Sequence, residues 1–301
     1  MHRTQDIAAR LDPLIAERAP WLSGGAVAAR LARPILDRLL GADRTLALAT
    51  ALAPRPGPAA MDTAARLIAR RISATGLAHV PASGPALVVA NHPTGIADGL
   101  VLWRLLARRR PDAFFFANAD VLRVLPRLDE VIAPVEWRPE KKTRARTRET
   151  LAYARDALLE RRRLGVIFPS GRLAKRRGLR LHERPWMHSA ATLARKFDLD
   201  VIPVHLSARN SALYYAFDAL HPTLRDITLF HETLNKQATP YRVSFGPAIP
   251  ARSLPENPAE ATEVLRRATL ALGEGPGHDG QSLFAAGTRA PGRLFPALPR
   301  A

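Results

Sequence analysis

His92 and Asp98 lie in the stretch Val88-Val89-Ala90-Asn91-His92-Pro93-Thr94-Gly95-Ile96-Ala97-Asp98-Gly99. An apolar run at residues 87–90 stops at Asn91, and a helical pattern resumes with Leu100, Leu102, Leu105 and Leu106. His92 therefore sits where a buried strand gives way to a helix. Unpaired amides and the helix dipole favour negative charge there, and open α/β sheets bind ligands beyond their carboxyl ends. A carboxylate close by could take the proton on one imidazole nitrogen, hold the tautomer, and stabilise the imidazolium formed when the other nitrogen accepts a proton from a hydroxyl. The competing reading makes His92 an ordinary polar strand-end residue and Asp98 an ordinary helix-start acid.

A second polar stretch, Phe168-Pro169-Ser170-Gly171-Arg172, follows another apolar run. Its Pro and Gly predict a tight loop, and Arg172 could bind a phosphate by its planar fork, with Lys175, Arg176 and Arg177 either adding charge or forming a solvated basic run. Ser170 lacks a nucleophile elbow, because Phe168 occupies the position where Gly-x-Ser-x-Gly needs its first glycine. Arg138 follows a third strand candidate; it could join the same sheet edge or serve as a surface ion-pair partner. His182, His188, His205, His221 and His231 show no spacing with acids typical of a zinc site, so no metal is expected.

The elements that must position these residues alternate. Residues 87–90, 114–117, 131–135, 164–168 and 200–204 read as strands, with helices over 99–109, 143–163 and 189–197 between them. Later strands are expected at 213–216 and 241–245, and a helix from Asn257-Pro258 to about residue 272. The pattern predicts an α/β fold, a mostly parallel sheet flanked by helices, with an amino-terminal helical appendage. The expected organisation is a helical, membrane-associating region over 1–76, an α/β domain over 77–273, and a loosely ordered tail over 274–301. Within the first region, a proline-rich break at 53–58 precedes a helix over 61–74.

Composition narrows the partners. Lys plus Arg number 45 against 27 Asp plus Glu, a net charge of +18 with a pI near 11.4, and there are no cysteines. Thiolate chemistry and disulfides are thereby excluded, and a polyanionic neighbour is implied. With aromatics at 6% and no basic stripe interleaved with them, nucleic acid is disfavoured against an anionic membrane surface or a phosphorylated substrate. Val27, Leu31, Ile35 and Leu39 recur at spacing four, with Arg30, Arg33 and Arg38 beside them, as on an interfacial helix. A helix packed on its own domain would read similarly. No apolar run is long enough to span a bilayer and the amino terminus reads as no signal peptide, so a cytoplasmic protein, peripheral on the inner face of the cell membrane, is expected.

Taken together, Asn91-His92-Pro93 with Asp98-Gly99, then Phe168-Pro169 with Gly171, then Ile202-Pro203-Val204 resemble the ordered motifs of the glycerolipid (PlsC-like) acyltransferase family. The likeness is greatest to its bacterial hemolysin-like or ornithine-lipid-like branch, extends over residues 77–249, and includes Ser207 to Tyr215 and His221 to Arg225. The resemblance implies an O-acyltransferase of phospholipid or related lipid synthesis. It would move an acyl chain from an acyl carrier protein or coenzyme A thioester to the hydroxyl of a lysolipid such as lysophosphatidic acid, with no bound cofactor. His92 would be the base, Asp98 its orienting partner, and no acyl-enzyme would form. Arg138, Ser170, Gly171 and Arg172 would meet the acceptor, while Asn91, Pro93 and Gly95 would shape the turn. Most of the family places four residues between this His and Asp. Here five intervene, so the extra residue must be absorbed at Pro93-Thr94-Gly95, where Gly95 can adopt a positive φ. A nonenzymatic basic protein of similar fold, and an esterase using the same pair, are the alternative readings.

Overall fold

In the computed structural model of the chain, described over residues 2–23, 27–136, 138, 141–273 and 280–283, the site is carried by one seven-stranded sheet. Its strands are β1 (Ile72–Thr75), β2 (Ala86–Ala90), β3 (Phe114–Asn118), β4 (Ile132–Val135), β5 (Leu164–Ile167), β8 (Val201–Ser207) and β9 (Tyr241–Phe245). A small sheet holds β6 (Lys175–Arg177), β7 (Arg180–His182) and β10 (Gly280–Ser282). The large sheet runs β1-β9-β8-β2-β5-β3-β4. Five neighbouring strands, β8, β2, β5, β3 and β4, are parallel, whereas β9 runs antiparallel to β8 and carries β1 parallel to itself.

β2 lies at the centre, and Ala86, Leu87, Val88, Val89 and Ala90 are all fully buried. A strand so placed is apolar on both faces, because helices cover both sides of a parallel sheet. Ala86, Val88 and Ala90 face a core shared with Ile68, Leu102 and Trp103, from the helices Gly57–Ile68 and Ile96–Leu106. Leu87 and Val89 face the opposite core, built with Ala154, Leu158, Ala194 and Leu265. The period-two alternation of the strand thus divides one apolar run between two cores. The amino-terminal helices His2–Arg18 and Ala42–Leu52 join through Ile7, Leu11, Leu14 and Ala49, which also pack on Val124 after β3.

Four expectations change. The helix expected over 61–74 ends at Ile68, and Ile72–Thr75 forms β1 instead, so the sheet starts ahead of residue 77. Its pairing partner is Tyr241 onward, a contact too distant in sequence for local periodicity to reveal. The strand expected at 213–216 lies inside the helix Ala212–Leu220, where a short apolar run was ambiguous and the Ser211 hydroxyl, accepting from the Tyr214 N–H, decides for helix. The long charged helix begins at Arg144 and passes at Asp156–Glu160 into a wider π turn before β5. Part of the expected loose tail, Gly280–Ser282, pairs with β7; residues 274–279 and 284–301 lie outside the described residues.

At the carboxyl end of β2 the ladder is continued by a side chain. The Asn91 amide donates to the Leu206 carbonyl at 3.0 Å and accepts from the Leu206 N–H at 2.7 Å, just past the Ala90–Val204 pair that ends the ladder. This clasp holds the last residue before His92 against β8. Replacing Asn91 by Ala orphans a buried N–H and carbonyl, and urea unfolding should show a loss of about 2 kcal/mol or more. A loss under about 0.5 kcal/mol would mean that the clasp does not hold the strand end.

Candidate active site

Gly95 precedes the helix Ile96–Leu106 with φ 94° and ψ −135°, a conformation that side-chain-bearing residues avoid. A Cβ there would also meet Leu173 at 3.3 Å. This turn accommodates the extra residue between His92 and Asp98 and aims the Asp98 carboxylate back over the helix start. Asp98 Oδ2 accepts the Thr94 N–H at 2.8 Å and the Gly95 N–H at 3.0 Å, filling amides that a helix start otherwise leaves unpaired. Its other oxygen accepts the Thr94 hydroxyl at 2.5 Å.

His92 Nδ1 lies 2.9 Å from Asp98 Oδ2, with the His92 side chain 17% exposed and the Asp98 side chain wholly buried. A carboxylate surrounded by donors accepts and does not donate, so the proton of this contact belongs to Nδ1 and Nε2 carries the basic lone pair. The ring stacks on Phe168, centroid to centroid 4.3 Å. The His92 main chain is fixed as well. Its N–H donates to Glu183 Oε2 at 3.2 Å, and its carbonyl accepts the Ala174 N–H at 2.9 Å. Burial pushes the Glu183 carboxyl up, while the His92 N–H, the Ser170 hydroxyl and the Trp186 indole oppose that rise. Pro93 is buried in the same turn.

The second predicted stretch reaches the same place. The loop after β5 closes with the Gly171 N–H donating to the Phe168 carbonyl, and Gly171 has φ 58°. Ser170 is 6% exposed, and its hydroxyl lies 2.8 Å from the Arg172 carbonyl and also against Glu183, so it braces the loop. Arg172 is exposed, and among the described residues its guanidinium has no partner. The basic run Lys175–Arg177 is a strand of the small sheet, exposed along its length and tied to His92 through Ala174.

Arg138 is placed differently. It follows β4, three strand spacings or about 14 Å across the sheet from β2. Its guanidinium is engaged by Glu17 at 2.6 Å, Asp120 at 3.0 Å and Glu136 at 3.2 Å, and these ion pairs fasten the first helix to the ends of β3 and β4. Hydrogen bonds from Arg138 and Lys141 hold the Glu17 carboxyl down at about 2. The structure does not bring Arg138 to His92.

Sequence reasoning missed the groups behind Asp98. Tyr241 lies 2.7 Å from the Thr94 hydroxyl, and a buried Lys236–Glu232 pair at 2.6 Å stands close enough for the Asp98 charge to act on Lys236. Thr94 lay inside the quoted motif, but nothing in its spacing pointed to a tyrosine from β9. Glu183 carried no signal either, since its contact with His92 is made through the main chain. Among the described residues no three His, Asp or Glu side chains converge as metal ligands.

An acyltransferase family model matches residues 71–207, the span from β1 to the end of β8. The chain is similar to a lyso-glycine lipid O-acyltransferase of Phocaeicola vulgatus, 25% identical over 145 residues that cover 48% of this chain and 50% of that protein. It is also similar to a lyso-glycine lipid O-acyltransferase of Bacteroides thetaiotaomicron, 22% identical over 204 residues that cover 65% of this chain and 73% of that protein. The chain therefore spans about half the length of the first relative and about three quarters of the second. Among solved structures, the 1-acyl-sn-glycerophosphate acyltransferase PlsC of Thermotoga maritima matches with a TM-score of 0.47 and 12% identity over 71% of this chain and 78% of that one. Residues 71–207, over which the acyltransferase family model matches, carry His92, Asp98 and the loop after β5.

Proposed function

We propose that this protein is a lipid O-acyltransferase in which His92 is the general base. The observation that carries the reading is the buried Asp98 carboxylate on His92 Nδ1, which leaves Nε2 as the basic nitrogen of a ring that keeps an exposed edge. The names of the two relatives support a lysolipid acceptor for this chain. The donor is an acyl thioester, on an acyl carrier protein or on coenzyme A, and no bound cofactor takes part. Nε2 removes the proton from the acceptor hydroxyl as its oxygen bonds to the thioester carbonyl carbon. When the tetrahedral intermediate collapses, the carbon–sulfur bond breaks and the imidazolium returns the proton to the departing sulfur. No acyl-enzyme forms, and Ser170, whose hydroxyl braces its own loop, is not a nucleophile. Arg172, exposed and without a partner among the described residues, is the guanidinium that meets an anionic acceptor or donor group. Arg138 has a structural role.

We further assign the protein to the surface of anionic membrane, on the cytoplasmic face. No helix among the described residues is long and apolar enough to cross a bilayer. The helix Val27–Leu40, however, leaves Val27, Leu31, Ile35 and Leu39 between 47% and 72% exposed. Arg30, Arg38 and Arg44 are exposed around this stripe, while Arg33 is tied to Asp12 and Asp37. An apolar stripe with cations beside it fits the boundary between acyl chains and acidic head groups.

Acyl transfer from labelled acyl carrier protein or acyl-coenzyme A to a panel of lysolipids tests the chemistry. His92→Ala should lower the rate by about 100-fold or more, and a change within about twofold would remove His92 as the base. Gly95→Ala should cost activity in the same assay, because it strains the turn that delivers Asp98 to His92. For the surface, Leu31→Asp with Ile35→Asp should abolish flotation with anionic vesicles, since each lost apolar side chain removes roughly 1.5–3 kcal/mol of burial. Undiminished flotation would move the membrane contact elsewhere.

A further inference from the structure

Three buried hydroxyl and carboxyl groups form a line behind His92. Tyr241 is 1% exposed, Thr94 2% and Asp98 0%. Because the ionised Asp98 only accepts, the Thr94 hydroxyl donates its single proton to Asp98, and Thr94 Oγ1 must then accept from the Tyr241 hydroxyl, 2.7 Å away. The line is therefore directional: Tyr241 donates to Thr94, Thr94 to Asp98, and His92 Nδ1 to Asp98 from the other side.

The topology explains why a residue so distant in sequence arrives here. β9 runs antiparallel to β8, with Arg242 opposite Ser207, so the amino end of β9 stands at the edge where β8 and β2 present their carboxyl ends. Tyr241 is the first residue of β9. Had β9 followed the direction of its neighbour, its last residue would have stood there instead. Burial, then the Asp98 charge, keeps the Tyr241 phenol protonated far above its ordinary range, so it remains a donor.

We propose that Thr94 and Tyr241 are positioning residues for the His92–Asp98 pair, Thr94 acting directly on the carboxylate and Tyr241 through Thr94. Their effect is to fix the Asp98 carboxylate against His92 Nδ1 and to share part of its negative charge. This assignment rests on the general-base reading for its consequence in catalysis, but not for its structural content. The other charged or titratable groups around the line are the Lys236–Glu232 pair and Tyr215 behind Tyr241 and Asp98, and Glu183 on the far side of His92. None of these is altered by the substitutions below.

The test is an NMR titration of the His92 imidazole in the full chain without substrate, the signal identified by its loss in His92→Gln. Thr94→Val keeps the side-chain shape and removes the donor. More of the Asp98 charge then falls on the imidazolium, and the His92 midpoint should rise by about half to one pH unit. Thr94→Ser should restore the parent midpoint. Tyr241→Phe should raise it by less than Thr94→Val, and should add nothing in the Thr94→Val background. In the transfer assay, Thr94→Val should lose rate on the acid side of the profile and recover toward higher pH. An unchanged His92 midpoint in Thr94→Val, or equal and additive shifts from Thr94→Val and Tyr241→Phe, would overturn the proposal. If Thr94→Val does not fold, as thermal unfolding would reveal, Thr94→Ser and Tyr241→Phe carry the test: a parent midpoint in the former with a raised one in the latter sustains it, and no shift in Tyr241→Phe overturns it. Full activity in His92→Gln would instead refute the general-base reading and leave the titration result standing.

Discussion

An ionised carboxylate removed entirely from water is tolerable only where donors surround it, and Asp98 meets that condition with two main-chain amides, one hydroxyl and one imidazole. Each donor constrains a different part of the chain. The amides require the Gly95 turn, the hydroxyl requires Thr94 in that turn, and the imidazole requires His92 immediately beyond the centre of the sheet. The turn in turn favours a glycine, because its positive φ strains any residue with a side chain and a Cβ would press on Leu173. The central strand supplies rigidity for all of this. Packed on both faces and clasped to β8 by Asn91, β2 ends at a fixed point.

The same logic separates the arginines. Arg138 lies 12% exposed among three carboxylates, and its work is to tie the amino-terminal helices to the far edge of the sheet. Arg172, on the loop beside His92, keeps its fork open to solvent. A net charge of +18 does not tell these apart, since pairing depends on where carboxylates from Glu17 and Asp120 arrive in space. The field of the unpaired cations is what an anionic surface would meet, with the apolar stripe of the helix Val27–Leu40 beside part of it.

Much of the α/β pattern was legible because its cause is local. β2, β3, β4, β5, β8 and β9 were anticipated as short apolar runs bounded by polar or turn residues, and the helix from Pro258 by its Asn cap and proline. β1 was not, because Ile72, Ser73, Ala74 and Thr75 become a strand only by pairing with β9. The segment after Ser211 was misread for the complementary reason. Four apolar residues fit either element, and a serine cap, rather than the run itself, settles the outcome.

By itself the sequence determined which side chains stand at strand ends: His92 after β2, the Ser170-Gly171-Arg172 loop after β5, and Arg138 after β4. It also determined that any turn between His92 and Asp98 would have to bend at Gly95, because glycine alone reaches such backbone angles freely. Only the tertiary structure decided which strand ends are neighbours. The order β2-β5-β3-β4 brings the loop of Arg172 beside His92 and holds Arg138 away, and the reversal of β9 delivers Tyr241 to Thr94. Strand order and direction are set by long-range pairing and by the packing of helices on two faces, quantities that no local spacing of residues records.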